Sequence, residues 1–182
     1  MLRDESGISL ERIRSRGYRT ITEEESLEEL GFADFQIRIP ALFIPIRNIL
    51  GELVFYRIRP DDPRVDPKKP WKVTKYEHPA GVPLTLDIPQ FTRENLSDTA
   101  RRLWIAEGER KTDALISRGE VAIGIFGVDA WKRNGLPLPE WDRVSLIGRE
   151  VILGFDSDAH RKVGIRRSLK ELAEYLEGRG AR

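Results

Sequence analysis

Two short apolar runs in the second half of the chain end in carboxylates. Leu103-Trp104-Ile105-Ala106 closes in Glu107-Gly108, and Ile152-Leu153-Gly154-Phe155 closes in Asp156-Ser157-Asp158. Continuous apolar runs this short, bounded by turn residues, read as strands buried on both faces. Between and after them the pattern becomes helical. A helix is predicted over 111–118, stopping at Gly119, then a strand over 121–126 and an irregular stretch with Pro137 and Pro139. A strand over 151–155 precedes a helix over 165–177, whose apolar stripe is Ile165, Leu169, Leu172, Ala173 and Leu176. Buried strands alternating with helices predict an α/β domain, a parallel sheet flanked by helices, over residues 101–182. In such open sheets the functional crevice lies beyond the carboxyl ends of the strands.

The first half is patterned differently. Ser9 is placed to cap a short basic helix over 9–16, whose Arg12, Arg14 and Arg16 read as a solvated face. Thr22-Glu23-Glu24-Glu25 fits a capping box for a helix running to Gly31. Residues 42–47 and 52–59 are rich in strand formers and flank Asn48-Ile49-Leu50-Gly51, which predicts a β-hairpin. Residues 60–89 hold seven of the eleven prolines and read as mostly loop with short extended pieces. Residues 1–100 are therefore expected to form a smaller N-terminal α+β subdomain. The chain stops at Gly180-Ala181-Arg182, where a further strand is expected, so a fragment of a longer protein is the reading.

Composition narrows the chemistry. The 182 residues include no cysteine, which excludes disulfides, thiol catalysis and a cysteine-based zinc site. Two histidines, His78 and His160, are too few for a histidine-rich metal centre. Charged residues make up 34% but balance to a formal +1, so any nucleic-acid surface has to be local. No apolar stretch approaches the roughly 20 residues of a bilayer span, and the N-terminus lacks a signal-peptide pattern. No membrane partner and a cytoplasmic location are expected.

Alternate residues on a strand point the same way, roughly 6.5–7 Å apart. Asp156 and Asp158 are thus placed to face one crevice, as a pair of hard oxygen donors suited to Mg²⁺ or Mn²⁺. Glu107, ending another strand, is a third metal-proximal acid or a proton-transfer group. Gly108 permits a tight turn into the next helix, with backbone N–H groups turned toward an anion. Taken singly, an Asp-x-Asp at a strand end is as often a pair of turn or capping residues. The joint occurrence of the two acidic strand ends favours a phosphoryl-transfer site.

These motifs resemble those of the Toprim domain, found in DnaG-type primases, topoisomerases and several nucleases. The residues that carry the likeness are Ile105-Ala106-Glu107-Gly108, Gly124 to Gly127, and Phe155-Asp156-Ser157-Asp158. Upstream, Phe43-Ile44-Pro45-Ile46-Arg47, Gly51, Arg59 and Lys75-Tyr76 are similar to the segment that precedes Toprim in DnaG-type primases. The likeness covers residues 42–177. It is strongest toward a Toprim-like group in plasmid, phage and other mobile-element replication proteins, which share Glu-Gly-x-x-Lys followed by Asp-Ala-Leu. Residues 107–115 show that pattern.

The resemblance implies a Rossmann-like Toprim sheet and primase-like, metal-dependent nucleotidyl transfer. Glu107 would be the general acid/base, and Asp156 and Asp158 the ligands of Mg²⁺ or Mn²⁺. Arg59, Lys75 and Lys111 would meet phosphates, while Gly108 and Gly127 shape the site. Implied partners are single-stranded DNA and nucleotides, with a replicative helicase or further domains of a longer chain. By themselves, Arg59 reads equally as a solvated strand-end charge and Lys75 as a loop lysine. A nuclease, and a non-catalytic nucleic-acid or nucleotide-binding module, are the alternatives.

Departures from the pattern bear on catalysis. Lys111 stands where DnaG-type primases place an acid, four residues after the glutamate. The glycine after Asp-x-Asp is displaced to Gly164, and the later acidic motif is missing. Among the tryptophans, Trp104 reads as core, and Trp71, amid Lys68, Lys69, Lys72 and Lys75, is the better base-stacking candidate.

Overall fold

The computed structural model describes residues 2–156 and 163–182. The chain divides into two compact units that interleave in sequence. One comprises Met1–Arg12, Arg47–Glu52 and Leu84–Arg182, and the other Ile13–Ile46 and Leu53–Pro83.

Helix α1 (Leu10–Arg16) begins where the Arg12 N–H donates to Ser9 Oγ at 3.1 Å, the cap its sequence announces. Of its three arginines only Arg14 is exposed, so they do not form one solvated face. Arg12 and Arg16 are 8% and 5% exposed. Arg12 lies 3.9 Å from the Asp113 carboxylate, and Arg16 donates to the Pro45 carbonyl at 3.4 Å. Long aliphatic stems let arginines bury while the guanidinium finds an acceptor, which a charge pattern alone does not reveal.

In the second unit, β1 (Arg19–Ile21) precedes α2 (Glu24–Glu29), β2 (Ala41–Arg47) and β3 (Leu53–Pro60). They form a sheet in the order β1-β2-β3, with β1 antiparallel to β2. The capping box at Thr22 is not made. Glu23 is the N-cap of α2 and makes no side-chain cap bond. The predicted stop does hold: Gly31, at φ 82°, donates to Glu28 O, and Phe32 donates to Leu27 O. Ile21, Leu27, Phe32, Ala41, Phe43 and Ile58 form this unit's core. The expected hairpin is present, its turn closed by Asn48 N–H to Glu52 O and Gly51 N–H to Asn48 O. Residues 60–89 are mostly loop with short extended pieces, two of which, β4 (Arg64–Asp66) and β5 (Lys69–Thr74), pair antiparallel. Proline tolerates an edge strand whose N–H side faces solvent, and Pro70 in β5 is exposed.

The first unit holds α3 (Gln90–Glu94), β6 (Leu103–Glu107), α4 (Glu109–Ile116) and β7 (Val121–Ile125). After these come a small hairpin of β8 (Lys132–Arg133) and β9 (Leu136–Pro137), then β10 (Val151–Gly154) and α5 (Val163–Gly178). The sheet runs β10-β6-β7 and is parallel throughout. This is the parallel sheet flanked by helices that the apolar runs predict. β7 is buried at every position, as a strand covered on both faces requires. Leu172 and Leu176 are the fully buried residues of α5, and the rest of its stripe is half-buried. Trp131, Trp141 and Tyr175 cluster, with the Trp141 indole donating to the Trp131 carbonyl at 3.0 Å. Arg182 bonds Arg149 and Val151 along the edge of β10.

Arg149 is wholly buried, and among the described residues no carboxylate partners its guanidinium. It donates instead to the backbone carbonyls of Arg101, Leu96, Ser145 and Asn95. Burial pulls its pKa below the usual arginine value, against the rise produced by Asp98. Replacing it with Met keeps the stem but orphans several buried carbonyls. Arg149→Met is expected to lower unfolding free energy by about 3 kcal/mol, read from urea denaturation of the full chain.

Candidate active site

Register decides what meets at the carboxyl end of the sheet. Gly154 pairs with Ala106, and Glu107 with Ile125. Glu107 therefore ends the central strand, and Asp156 follows two residues after the last paired residue of its neighbour. Both carboxylates emerge at the same end of two adjacent strands. Glu107 is half-buried and Asp156 exposed. Asp158 lies outside the described residues.

The turn between β6 and α4 is set by Gly108. Its N–H donates to Ile125 O at 2.9 Å, which carries the pairing one step past Glu107. Its backbone stands at φ 85°, ψ 157°, a region that only glycine occupies readily. Among the described residues a Cβ there would meet nothing within 4 Å, so the backbone conformation and not crowding calls for the glycine. The first-turn N–H groups of α4 carry the partial positive charge that attracts an anion. Gly127, beyond β7, stands at φ 120° and accepts from the Ala130 N–H, again with no atom of the described residues within 4 Å of a would-be Cβ.

Lys111, one turn into α4, reaches back across the strand ends. Its Nζ lies 2.6 Å from Asp156 Oδ1, with the two side chains 39% and 64% exposed. The lysine that replaces an expected acid is thus the direct partner of a candidate metal ligand. Arg59 and Lys75 belong to the other unit. There Tyr76 is covered by guanidinium groups, Arg57 at 4.5 Å and Arg59 at 5.9 Å from its ring centre, which marks it as packed. Lys75 is exposed.

Beneath the turn, α4 buries Asp113 of the Asp-Ala-Leu pattern together with two polar residues that the sequence did not single out, Glu109 and Thr112. Thr112 Oγ donates to the Gly108 carbonyl at 3.0 Å. Opposite it, a Cβ on Gly124 would lie 2.8 Å from Thr112 Oγ and 3.1 Å from the Asp87 side chain. Asp87, also buried, exchanges both backbone hydrogen bonds with Gly124 at the outer edge of β7. Gly124, inside the strand expected over 121–126, is also where α4 and the Asp87 segment close on β7. A glycine inside a strand was the available signal.

Glu107 and Asp156 are hard oxygen donors of the kind Mg²⁺ takes, and such sites commonly use one or two carboxylates plus substrate phosphate. The residues fit that group, with Lys111 as an internal competitor for Asp156. Among the described residues, no group of three or more His, Asp or Glu side chains is gathered for a metal. No helix among them is long and apolar enough to cross a membrane.

With this geometry in place, the chain can be compared with known proteins. A family described as a domain of unknown function, DUF3854, matches residues 96–182. No curated protein matches in sequence. Among solved structures, the zinc-binding and RNA polymerase domains of the Aquifex aeolicus primase align over 97% of this chain and 46% of that one, with TM-score 0.65 and 15% identity. A DNA primase domain from Pseudomonas aeruginosa aligns over 90% and 54%, with TM-score 0.55 and 17% identity. The RNA polymerase domain of Mycobacterium tuberculosis primase DnaG aligns over 87% and 59%, with TM-score 0.52 and 16% identity. The fold is that of primase catalytic cores. The chain spans about half the length of the primase structures it matches.

Two glycine substitutions separate conformation from packing. Gly108→Ala is expected to cost about 2 kcal/mol through backbone strain alone. Gly124→Ala pushes against a buried segment and a helix together and is expected to cost about 3 kcal/mol. Denaturant melts of both variants check the pair. Only the Gly108 variant should also alter anion binding.

Proposed function

We propose that the chain is a Toprim-type, metal-dependent nucleic-acid protein performing primase-like nucleotidyl transfer in the replication of a plasmid, phage or other mobile element. One observation carries the reading: parallel pairing of β10, β6 and β7 brings Glu107, Gly108 and Asp156 to one end of one sheet. The primase-core fold supports it.

Asp156 and Asp158 hold Mg²⁺ or Mn²⁺, which when bound neutralises phosphate charge. Glu107 accepts the proton of an attacking 3′-hydroxyl as its oxygen bonds to a nucleotide α-phosphorus and pyrophosphate leaves. Gly108 turns the chain into α4, whose first-turn N–H groups attract phosphate oxygens. Lys111 holds Asp156 in the free protein and offers its ammonium to phosphate in the loaded one. Arg59 and Lys75 meet phosphates of template or nucleotide, and Gly127 shapes the turn after β7. The substrates are single-stranded DNA and nucleotides, with a helicase or further domains as partners.

The Lys111–Asp156 pair also favours a second reading, a nucleic-acid or nucleotide-binding module without catalysis. An ammonium at 2.6 Å already balances the carboxylate that a metal would need.

Ribonucleotide incorporation on a single-stranded DNA template tests the main reading. Activity that requires Mg²⁺ or Mn²⁺ and falls about 10²- to 10⁴-fold in Glu107→Gln is the expected result. Template degradation without incorporation would indicate a nuclease instead. Neither activity, together with DNA affinity indifferent to Asp156→Asn, would leave the binding module.

Calorimetry with Mn²⁺ addresses the lysine separately. Removing a partly exposed ion-pair partner releases about 1 kcal/mol of competition, so Lys111→Met is expected to bind Mn²⁺ roughly fivefold more tightly. Asp156→Asn is expected to abolish the binding.

A further inference from the structure

The β4–β5 hairpin carries an aromatic surface that the fold does not use. Trp71 is 80% exposed, although burying such a ring is among the largest stabilising contributions a side chain offers. Val65 and Val73 are a cross-strand pair, 46% and 42% exposed. Trp71 lies between Lys69, the partner of Asp66, and Val73, where the register of the hairpin shifts. The hairpin therefore offers one exposed indole, an exposed valine pair and exposed ammonium groups.

The charge around it is one-sided. Residues 64–75 contain Arg64, Lys68, Lys69, Lys72 and Lys75 against a single carboxylate, Asp66, in a chain of formal charge +1. Arg64 is committed to Glu77 at 2.9 Å, and Asp66 accepts from the Lys68 backbone N–H at 2.9 Å. Among the described residues, none of the four lysines forms an ion pair. Four exposed ammonium groups and an exposed indole thus share one short hairpin.

We infer that this hairpin is a docking site for single-stranded nucleic acid, with Trp71 stacking on a base and Lys68, Lys69 and Lys72 meeting backbone phosphates. It goes beyond the acidic site, lies in the other unit, and needs no metal. The chemistry selects this occupant. One ring and two valines fall well short of the roughly 800 Å² that a stable protein partner buries, and lysine is depleted at such interfaces. Membrane binding requires a broader apolar face than this. A base needs one ring, and its phosphate one cation. Paired bases keep their faces inside a duplex, so stacking selects the single strand.

Fluorescence anisotropy with a short fluorescein-labelled oligodeoxythymidine, in EDTA, tests the assignment on the full chain. Trp71→Leu, which keeps an apolar side chain, is expected to weaken binding roughly 5- to 150-fold, while Trp71→Phe retains most of the affinity. Lys68→Gln/Lys69→Gln/Lys72→Gln is expected to reduce the slope of log affinity against log salt by about 2. An abasic oligonucleotide should not distinguish Trp71→Leu from the parent. Trp71 is exposed, so thermal melts of all variants should match. Equal affinity of parent and Trp71→Leu for the oligonucleotide would overturn the proposal. So would tryptophan emission that responds to phosphatidylserine vesicles and not to the oligonucleotide. Because EDTA is present, loss of the metal-dependent reading leaves this result unaffected.

Discussion

The parallel pairing of three strands is the constraint on which the candidate site depends. In a parallel ladder every strand presents its carboxyl end to the same side, so acids at those ends meet without being neighbours in sequence. Glu107 and Asp156 are separated by a helix, a strand and a small hairpin, yet one register places them on adjacent strands. A one-residue slip of β10 would turn Val151 to Gly154 to the opposite face and carry Asp156 with them. The apolar packing of β6 and β7 therefore fixes the chemistry as well as the stability of this unit.

Electrostatics at the strand ends is balanced from within. The Lys111–Asp156 pair is partly exposed, so solvent screens it and its worth is about 1 kcal/mol or less. That is too little to hold the fold together and enough to bias what a carboxylate binds.

Some of the misread elements share a cause. Arg12 and Arg16 pattern as a solvated basic face, yet each is buried against a partner remote in sequence. Thr22 has the spacing of a capping box, but the helix starts after Glu23. In the arginine case the local signal was read correctly and a distant segment changed its meaning.

Local pattern by itself determined the strands 103–107, 121–125 and 151–154, the hairpin around Asn48 and Gly51, the stop at Gly31 and the acids at two strand ends. These depend on periodicity, turn chemistry and backbone sterics, all of which act over a few residues. Tertiary structure alone decided that Lys111 faces Asp156, that Thr112 and Asp87 close on Gly124, and that Arg149 ties together four backbone carbonyls. It also decided that residues 1–12 and 47–52 belong with the parallel sheet. Those outcomes are set by which buried groups need partners, and the partners lie tens of residues away.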